Sequence, residues 1–320
     1  PTATSSSYCT TAVPGKYGYV PEDACNAQWN YYPSFAAAVA FAVLFGFVLV
    51  GHVVEAFVFR KAYCWVLIMG ASWEFASFIT RALGAHNQQS QALVTVSQLL
   101  LLLSPLWINA FVYMTVGRLI HFFHPTQRIW RIRGSSVAKY FVWADIISFL
   151  VQGTGGSMLS PGNSSSTIKL GLDVYMGGVG LQEGFILVFV GLIFKFQREM
   201  IEVERKGEIR VGRERWRGLV WVLYAVLALI SMRIIYRLIE YSRGLNTNNP
   251  LPFHEAYMYV LDVMPMFTAL IILNVWHPGR VLVGPDSSFP KLTRKEKKAL
   301  KAEKKAIKAE KKAQKSERKR

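Results

Sequence analysis

Seven stretches of the chain are apolar, poor in charge and close to twenty residues long, the length a helix needs to cross the hydrocarbon core of a bilayer. They cover residues 34–54, 62–80, 92–117, 137–159, 171–194, 218–240 and 253–275. The first and third contain no Asp, Glu, Lys or Arg, whereas Asp145, Asp173 and Glu183 interrupt the fourth and fifth. A backbone in hydrocarbon has no water to satisfy its N–H and C=O groups, so segments of this kind span as helices. The expected fold is an all-α membrane protein with seven transmembrane helices.

Positive charge predicts which way such a bundle sits, because cytosolic loops are enriched in Lys and Arg. With seven crossings, the N-terminal segment and the loops holding Arg81, Lys169 and Arg243 share one side and carry four Lys/Arg in all. The other side carries 31, with Arg233 and Arg237 left inside a span. The expected orientation has the N-terminus outside and the C-terminus in the cytosol, in the plasma membrane. This divides the chain into an extracellular segment at 1–33, a seven-helix domain at 34–280 and a basic cytosolic tail at 281–320. Residues 1–32 show no signal-peptide pattern, so the first apolar run is expected to act as its own insertion signal.

The net charge of +17 is not a nucleic-acid footprint, since Lys291–Arg320 alone holds 15 Lys/Arg against 4 Glu. The tail repeats as KKALKAE, KKAIKAE and KKAQKSE, with only Leu300 and Ile307 as large apolar residues, too few for a coiled-coil seam. It reads either as a solvated basic helix against anionic lipid of the inner leaflet or as a solubilising or trafficking tail. The interleaved acids and bases of 195–217 read as helix extensions held by i,i+4 pairs, with a docking surface as the alternative. Membrane lipids are the expected partners, nucleic acid is not, and no protein partner is indicated. Cys9 and Cys25 share the N-terminal segment, either bridged in an oxidising compartment or both free. Asn163-Ser164-Ser165 is the one glycosylation sequon and falls in a short outer loop.

An ionisable group at the middle of a bilayer costs roughly 2.5–3.5 kcal/mol even on a lenient insertion scale, so it is paired, hydrated or used. The candidates are Glu74, Asp145, Glu183, Arg233, Arg237, Glu240 and Asp262, with the amides of Gln98, Gln152 and Gln182. Most fall in the outer half of the membrane; Asp145 is nearer the cytosol. Arg233, Arg237 and Glu240 follow i, i+4, i+7 spacing and share one face of the sixth helix. That face has to turn away from lipid, and Glu74, Glu183 and Asp262 are the carboxylates available to it. Either these groups form an interhelical salt-bridge network that fixes packing, or they line an outward-opening pocket for the head group of an amphiphile. Pro105 and Pro265 interrupt the third and seventh spans and are expected to bend them. Glycines at 153, 155 and 156 and at 177, 178, 180 and 184 are expected to let the fourth and fifth helices approach closely.

Several chemistries are disfavoured. No G-x-x-x-x-G-K-[ST] phosphate loop occurs, and the seventh span has no Lys to carry a retinal Schiff base. His52, His86, His121, His124, His254 and His277 are scattered without H-x-x-x-H spacing and read as interfacial residues. No metal, cofactor or catalytic residue is assigned.

A set of stretches carries a likeness to known proteins. It comprises Tyr17-Gly-Tyr-Val and Tyr32-Pro-Ser; Glu74 with Arg81; Gln98 through Ser104-Pro105 to Tyr113 and Gly117-Arg118; and Phe141-Val-x-x-Asp145-x-x-Ser148-x-x-x-Gln152-x-x-Gly-Gly. Gly180-Leu-Gln182, Arg233-x-x-x-Arg237-x-x-Glu240, and His254-Glu255 through Asp262-x-x-Pro265 to Asn274-Val-Trp-His-Pro-Gly279 complete it. Over residues 17–280 the chain resembles the fungal lipid-translocating exporters, also called resistance-to-aminocholesterol-like proteins. The resemblance implies translocation or export of amphiphilic lipids, such as a sphingoid long-chain base or a sterol-like molecule, and resistance to lipid or toxic-compound stress. It implies no catalytic residue. The alternative is a seven-helix receptor or lipid-stress sensor signalling through its cytosolic loop and tail, which rests on topology alone.

Overall fold

The computed structural model describes residues 10–21, 24–159, 164–207, 215–242, 249–284 and 289, and among these the apolar runs are seven helices long and apolar enough to cross a membrane. The protein is a multi-pass integral membrane protein. Its helices are α1 (Phe35–Phe59), α2 (Trp65–Ala85), α3 (Gln91–Phe123), α4 (Gly134–Ser157), α5 (Ser165–Arg205), α6 (Trp216–Ser242) and a composite α7. The last is α-helical over Glu255–Met258, passes through a π-helical turn at Tyr259–Val263 and resumes as α-helix over Met264–Val275. Between α3 and α4 a small antiparallel hairpin forms from β1 (Arg128–Ile129) and β2 (Ile132–Arg133). Residues to Val283 make up one compact unit. Cys9, the sequon Asn163 and the Lys-rich repeats lie outside the described residues; Cys25 is disulfide-bonded and Cys64 is a free, buried thiol.

Each helix packs on its neighbours in sequence, and α7 packs back on α6 and α1. The third helix also touches α5 and α6, so it occupies the middle of the bundle. Large apolar side chains such as Phe47, Phe57, Trp143, Leu150, Leu187 and Trp221 are exposed on the perimeter, as lipid-facing residues must be. The core is aromatic and aliphatic, with Phe45, Phe78, Phe111, Tyr113, Phe189 and Phe196 fully enclosed.

The fifth helix overruns its expected span the most, and charge pairing holds the extension. The fifth has 41 residues, about 60 Å at 1.5 Å per residue, or twice the hydrocarbon thickness. Beyond Phe194 it is held by a Lys195–Glu199 i,i+4 pair at 3.6 Å and tied to the start of α6 by Arg217–Glu204 at 2.6 Å. The described part of 195–217 is therefore helix extension.

Only some of the expected glycines matter for packing. A Cβ on Gly155 would sit 2.4 Å from the Tyr175 backbone nitrogen, and one on Gly178 would sit 2.9 Å from that of Gln152. Gly153, Gly156, Gly177, Gly180 and Gly184 face open space. A second crossing, between α3 and α4, uses Gly117 and Gly134, where each added Cβ would strike the other's carbonyl. Three histidines also depart from expectation: His52, His124 and His277 are buried rather than interfacial. His277 Nε2 lies 3.4 Å from Cys64 Sγ, while its Nδ1 accepts from the Gly279 N–H at 3.0 Å.

The glycine geometry predicts a contrast within one helix turn. Gly155→Ala should lower thermal stability in detergent by about 1–3 kcal/mol through overpacking, and Gly156→Ala should change it by less than about 0.5 kcal/mol. Equal melting of the two variants would contradict the close α4–α5 approach.

Candidate functional site

Buried charge is arranged at three depths. Nearest the end that carries the N-terminal segment lies a latch that the hydropathy pattern did not reveal. Arg81 belongs to α2 and is buried, although its position suggested a loop. Its guanidinium pairs with Glu255 Oε1 at 3.0 Å and donates to the Tyr31 hydroxyl. The other Glu255 oxygen accepts from the Ser34 backbone N–H at 2.8 Å, and Ser34 caps α1 through its own side chain. Trp29, Tyr31 and Tyr259 surround Arg81 with ring centroids at 5.0, 5.6 and 5.8 Å, distances at which a cation gains from aromatic faces. Burial pushes the Tyr31 phenol up, against the pull of Arg81, so it stays neutral and donates to Met258 Sδ at 3.8 Å. The latch thus joins the N-terminal segment, α1, α2 and α7. Its signal was present in the sequence: Arg81 follows Glu74 by seven residues, two turns along one helix face.

Deeper in the bundle, α6 meets the π-turn of α7. Asp262 is fully enclosed and pairs with both Arg233 and Arg237. Arg237 also holds Glu240 Oε2 at 2.9 Å, and the Tyr236 hydroxyl donates to Glu240 Oε1 at 3.3 Å. Two cations and two carboxylates therefore balance. Proline shapes this level twice. Pro105 has no N–H, which frees the carbonyl of Leu101 one turn earlier; Arg233 Nη2 donates to that carbonyl at 3.4 Å. Pro265 likewise follows the π-turn, where the Met264 N–H reaches back to the Tyr259 carbonyl. A π-turn inserts one residue into the helical repeat, a feature frequent at functional sites.

The other expected carboxylates do not join these arginines. Glu74 is within electrostatic reach of Arg233 and Asp262 and beside the Ser104 hydroxyl, which donates to the Gly70 carbonyl at 2.9 Å, but it makes no ion pair among the described residues. Glu183 faces the neighbourhood of Tyr113, and its buried Oε2 is unpartnered among the described residues. Gln152 donates to Gln182 at 2.9 Å, linking α4 to α5 beside Arg233. The third depth, toward the basic end, belongs to Asp145. It accepts from the Tyr113 hydroxyl at 3.0 Å and from Asn109 Nδ2 at 3.0 Å, both on α3.

A cavity of about 350 Å³ lies above the arginine cluster. Gln98, Arg237, Glu240 and His254 give it a polar wall; Leu102, Leu159, Leu251 and Met258 give it an apolar one. Trp29, Tyr31, Tyr175 and Tyr241 supply aromatic faces. Of the sequence-predicted group, Gln98, Arg237 and Glu240 line this space; Arg233, Gln152 and Gln182 line a cleft of about 10 Å³ below it, about the room one water needs. Glu74 and Asp262 line neither. The cavity is thus polar at its charged floor, aromatic at its sides and apolar elsewhere, which suits one amphiphilic molecule.

A family profile described as RTA1 like protein matches residues 67–284, a stretch that contains every charged group of the cluster. The chain belongs to the RTA1-like family. It is 47% identical over 300 residues to a protein of Emericella nidulans named probable lipid transporter atnI, covering 92% of this chain and 78% of that one. It is 22% identical over 294 residues to the sphingoid long-chain base transporter RSB1 of Saccharomyces cerevisiae, covering 81% and 75%. Protoporphyrin uptake protein 1 of the same yeast is 29% identical over 207 residues, covering 64% and 65%. No solved structure matches the chain. Tyr31 and Ser34, which complete the latch, lie outside the matched stretch.

Removing one partner of a buried ion pair leaves an uncompensated charge. Asp262→Asn should therefore lower the unfolding free energy in detergent by about 3–5 kcal/mol, whereas Asp173→Asn, at an exposed position of α5, should cost no more than about 0.5 kcal/mol. Similar melting of both variants would show that the cluster does not hold α6 to α7.

Proposed function

We propose that this protein translocates or exports an amphiphilic lipid, with a sphingoid long-chain base or a sterol-like molecule as the substrate class, and is not an enzyme. The observation that carries the reading is the cavity, whose wall divides between the charged pair Arg237–Glu240 and apolar side chains. An ammonium head fits against Glu240 and the ring faces of Tyr175 and Tyr241, while the hydrocarbon follows Leu102, Leu251 and Met258. Asp262 is already occupied by two arginines, so Glu240 is the carboxylate a cationic head reaches first. The volume is at the small end of ligand sites, enough for a head group and the beginning of a chain.

The chain's 31-to-4 division of Lys and Arg supports an outside N-terminus and a cytosolic C-terminus. In that orientation the cavity opens toward the outer leaflet, and the plasma membrane is the compartment that export requires. The relatives' names, lipid transporter, sphingoid long-chain base transporter and protoporphyrin uptake protein, support transport. None of these names favours the receptor reading.

The test is efflux of a labelled long-chain base from cells lacking this protein and from cells given it back. Wild type should restore efflux. Glu240→Gln should raise the half-saturating concentration roughly tenfold or more, the effect expected for losing a hydrogen bond to a charged group. Identical fluxes in deleted, restored and variant cells would rule the proposal out.

A further inference from the structure

The hairpin between α3 and α4 carries costs that its own packing does not explain. Strand pairing sets Arg128 opposite Arg133 and Ile129 opposite Ile132. Like charges directly opposite across two strands repel. The two turn residues, Trp130 and Arg131, have φ of 46° and 65°. Hairpin turns with both residues in that left-handed region normally use Asn-Gly or a similar pair, because a side chain there crowds its own backbone. Gln127, just before the hairpin, has φ of 53°. Three of the five non-glycine residues with positive φ among the described residues thus fall within this one short loop. Strain of this kind persists only where the surroundings enforce it, and it clusters at sites of function.

The surroundings here do enforce it. Ile129 is buried and Ile132 packs against the core. The Gly134 N–H donates to the Gln127 carbonyl at 3.1 Å, closing the base of the loop. His124 Nε2 lies 2.8 Å from Glu199 Oε2, which pins the approach to α5. At the tip, the Trp130 indole rests on Gly191, where an added Cβ would lie 3.3 Å from the ring. Gly191 is one turn before Lys195, the residue at which α5 leaves its apolar stretch, so the half-exposed indole sits at the depth where Trp is favoured in membranes.

With the isoleucines turned inward, the strand alternation leaves Arg128 and Arg133 side by side on the outer face, with Arg131 at the tip. All three are exposed, and none makes a side-chain hydrogen bond or ion pair among the described residues. Two guanidinium forks on directly opposed residues can each offer paired N–H donors to one phosphate. We propose that this hairpin is a binding site for the phosphate head group of an anionic phospholipid in the leaflet beside the basic loops. The indole provides the membrane anchor and the paired arginines provide the head-group contact. This site is separate from the cavity at the opposite end of the bundle and does not depend on the transport proposal.

The test uses the full-length protein in neutral detergent with four probes: dioctanoyl phosphatidylserine, dioctanoyl phosphatidylcholine, inorganic phosphate and a polyglutamate peptide. Phosphatidylserine should bind R128Q/R133Q at least tenfold more weakly than wild type, with R128K/R133K in between because an ammonium lacks the fork. Phosphatidylcholine, which has the same phosphate but no net charge, should bind wild type at least tenfold more weakly than phosphatidylserine; the Lys-rich tail is kept in every variant, so a loss on R128Q/R133Q reads the hairpin. R131G should melt no lower than wild type, since glycine occupies the left-handed turn position without strain. The proposal fails if R128Q/R133Q retains wild-type affinity for phosphatidylserine, or if inorganic phosphate binds as tightly as the lipid. It also fails if the double substitution weakens polyglutamate more than phosphatidylserine, which would make the hairpin a contact for an acidic protein.

Discussion

Two arginines on α6 share one fully enclosed aspartate on α7. A buried guanidinium is tolerable only if carboxylates neutralise it and acceptors take its N–H groups. Asp262 meets both Arg233 and Arg237, Glu240 takes a further contact, and the Leu101 carbonyl accepts from Arg233. That carbonyl is available because Pro105 withholds the N–H that would have used it. The meeting of α3, α6 and α7 is therefore set by charge satisfaction more than by shape. Apolar side chains fill the rest of the bundle, but contacts between them in lipid have no water to expel and select no unique partner.

Arg237 connects this cluster to the cavity. One of its nitrogens holds Asp262 and another holds Glu240, and both Arg237 and Glu240 line the cavity wall. In the proposed transport reading, a head group that competes for Glu240 changes the pairing of Arg237 and hence the tie between α6 and the π-turn. On the far wall, Trp29 and Tyr31 close the cavity while also surrounding Arg81 of the latch. The same pocket thus touches two charge networks that join different helices, and a ligand acts on a conformational equilibrium only through differential contacts of this kind.

The helices themselves were legible in the sequence, because twenty apolar residues without charge have few alternatives in a bilayer. The i, i+4, i+7 spacing of Arg233, Arg237 and Glu240 also placed those three on one face correctly. The partner was harder to read. Glu74, Glu183 and Asp262 were equal candidates by depth, and only Asp262 pairs with the arginines. Hydropathy reports how far along a helix a residue lies but not the direction in which its neighbours turn. The glycines illustrate the same limit: Gly155 and Gly156 are adjacent, yet one meets the α5 backbone and the other faces open space. Arg81 read as a loop residue because a charge at the end of an apolar run ordinarily marks the membrane boundary.

The sequence by itself determined the number of crossings and the separation of basic from neutral ends, because the cost of an unpaired backbone or a charge in hydrocarbon depends on composition and order alone. Tertiary structure decided which carboxylate answers which arginine, where a π-turn falls in α7, and that a loop with three arginines folds as a strained hairpin. These depend on the rotation of each helix about its axis and on distances between residues far apart in the chain. A few ångströms of approach separate a compensated charge from an orphaned one, and no one-dimensional pattern carries that information.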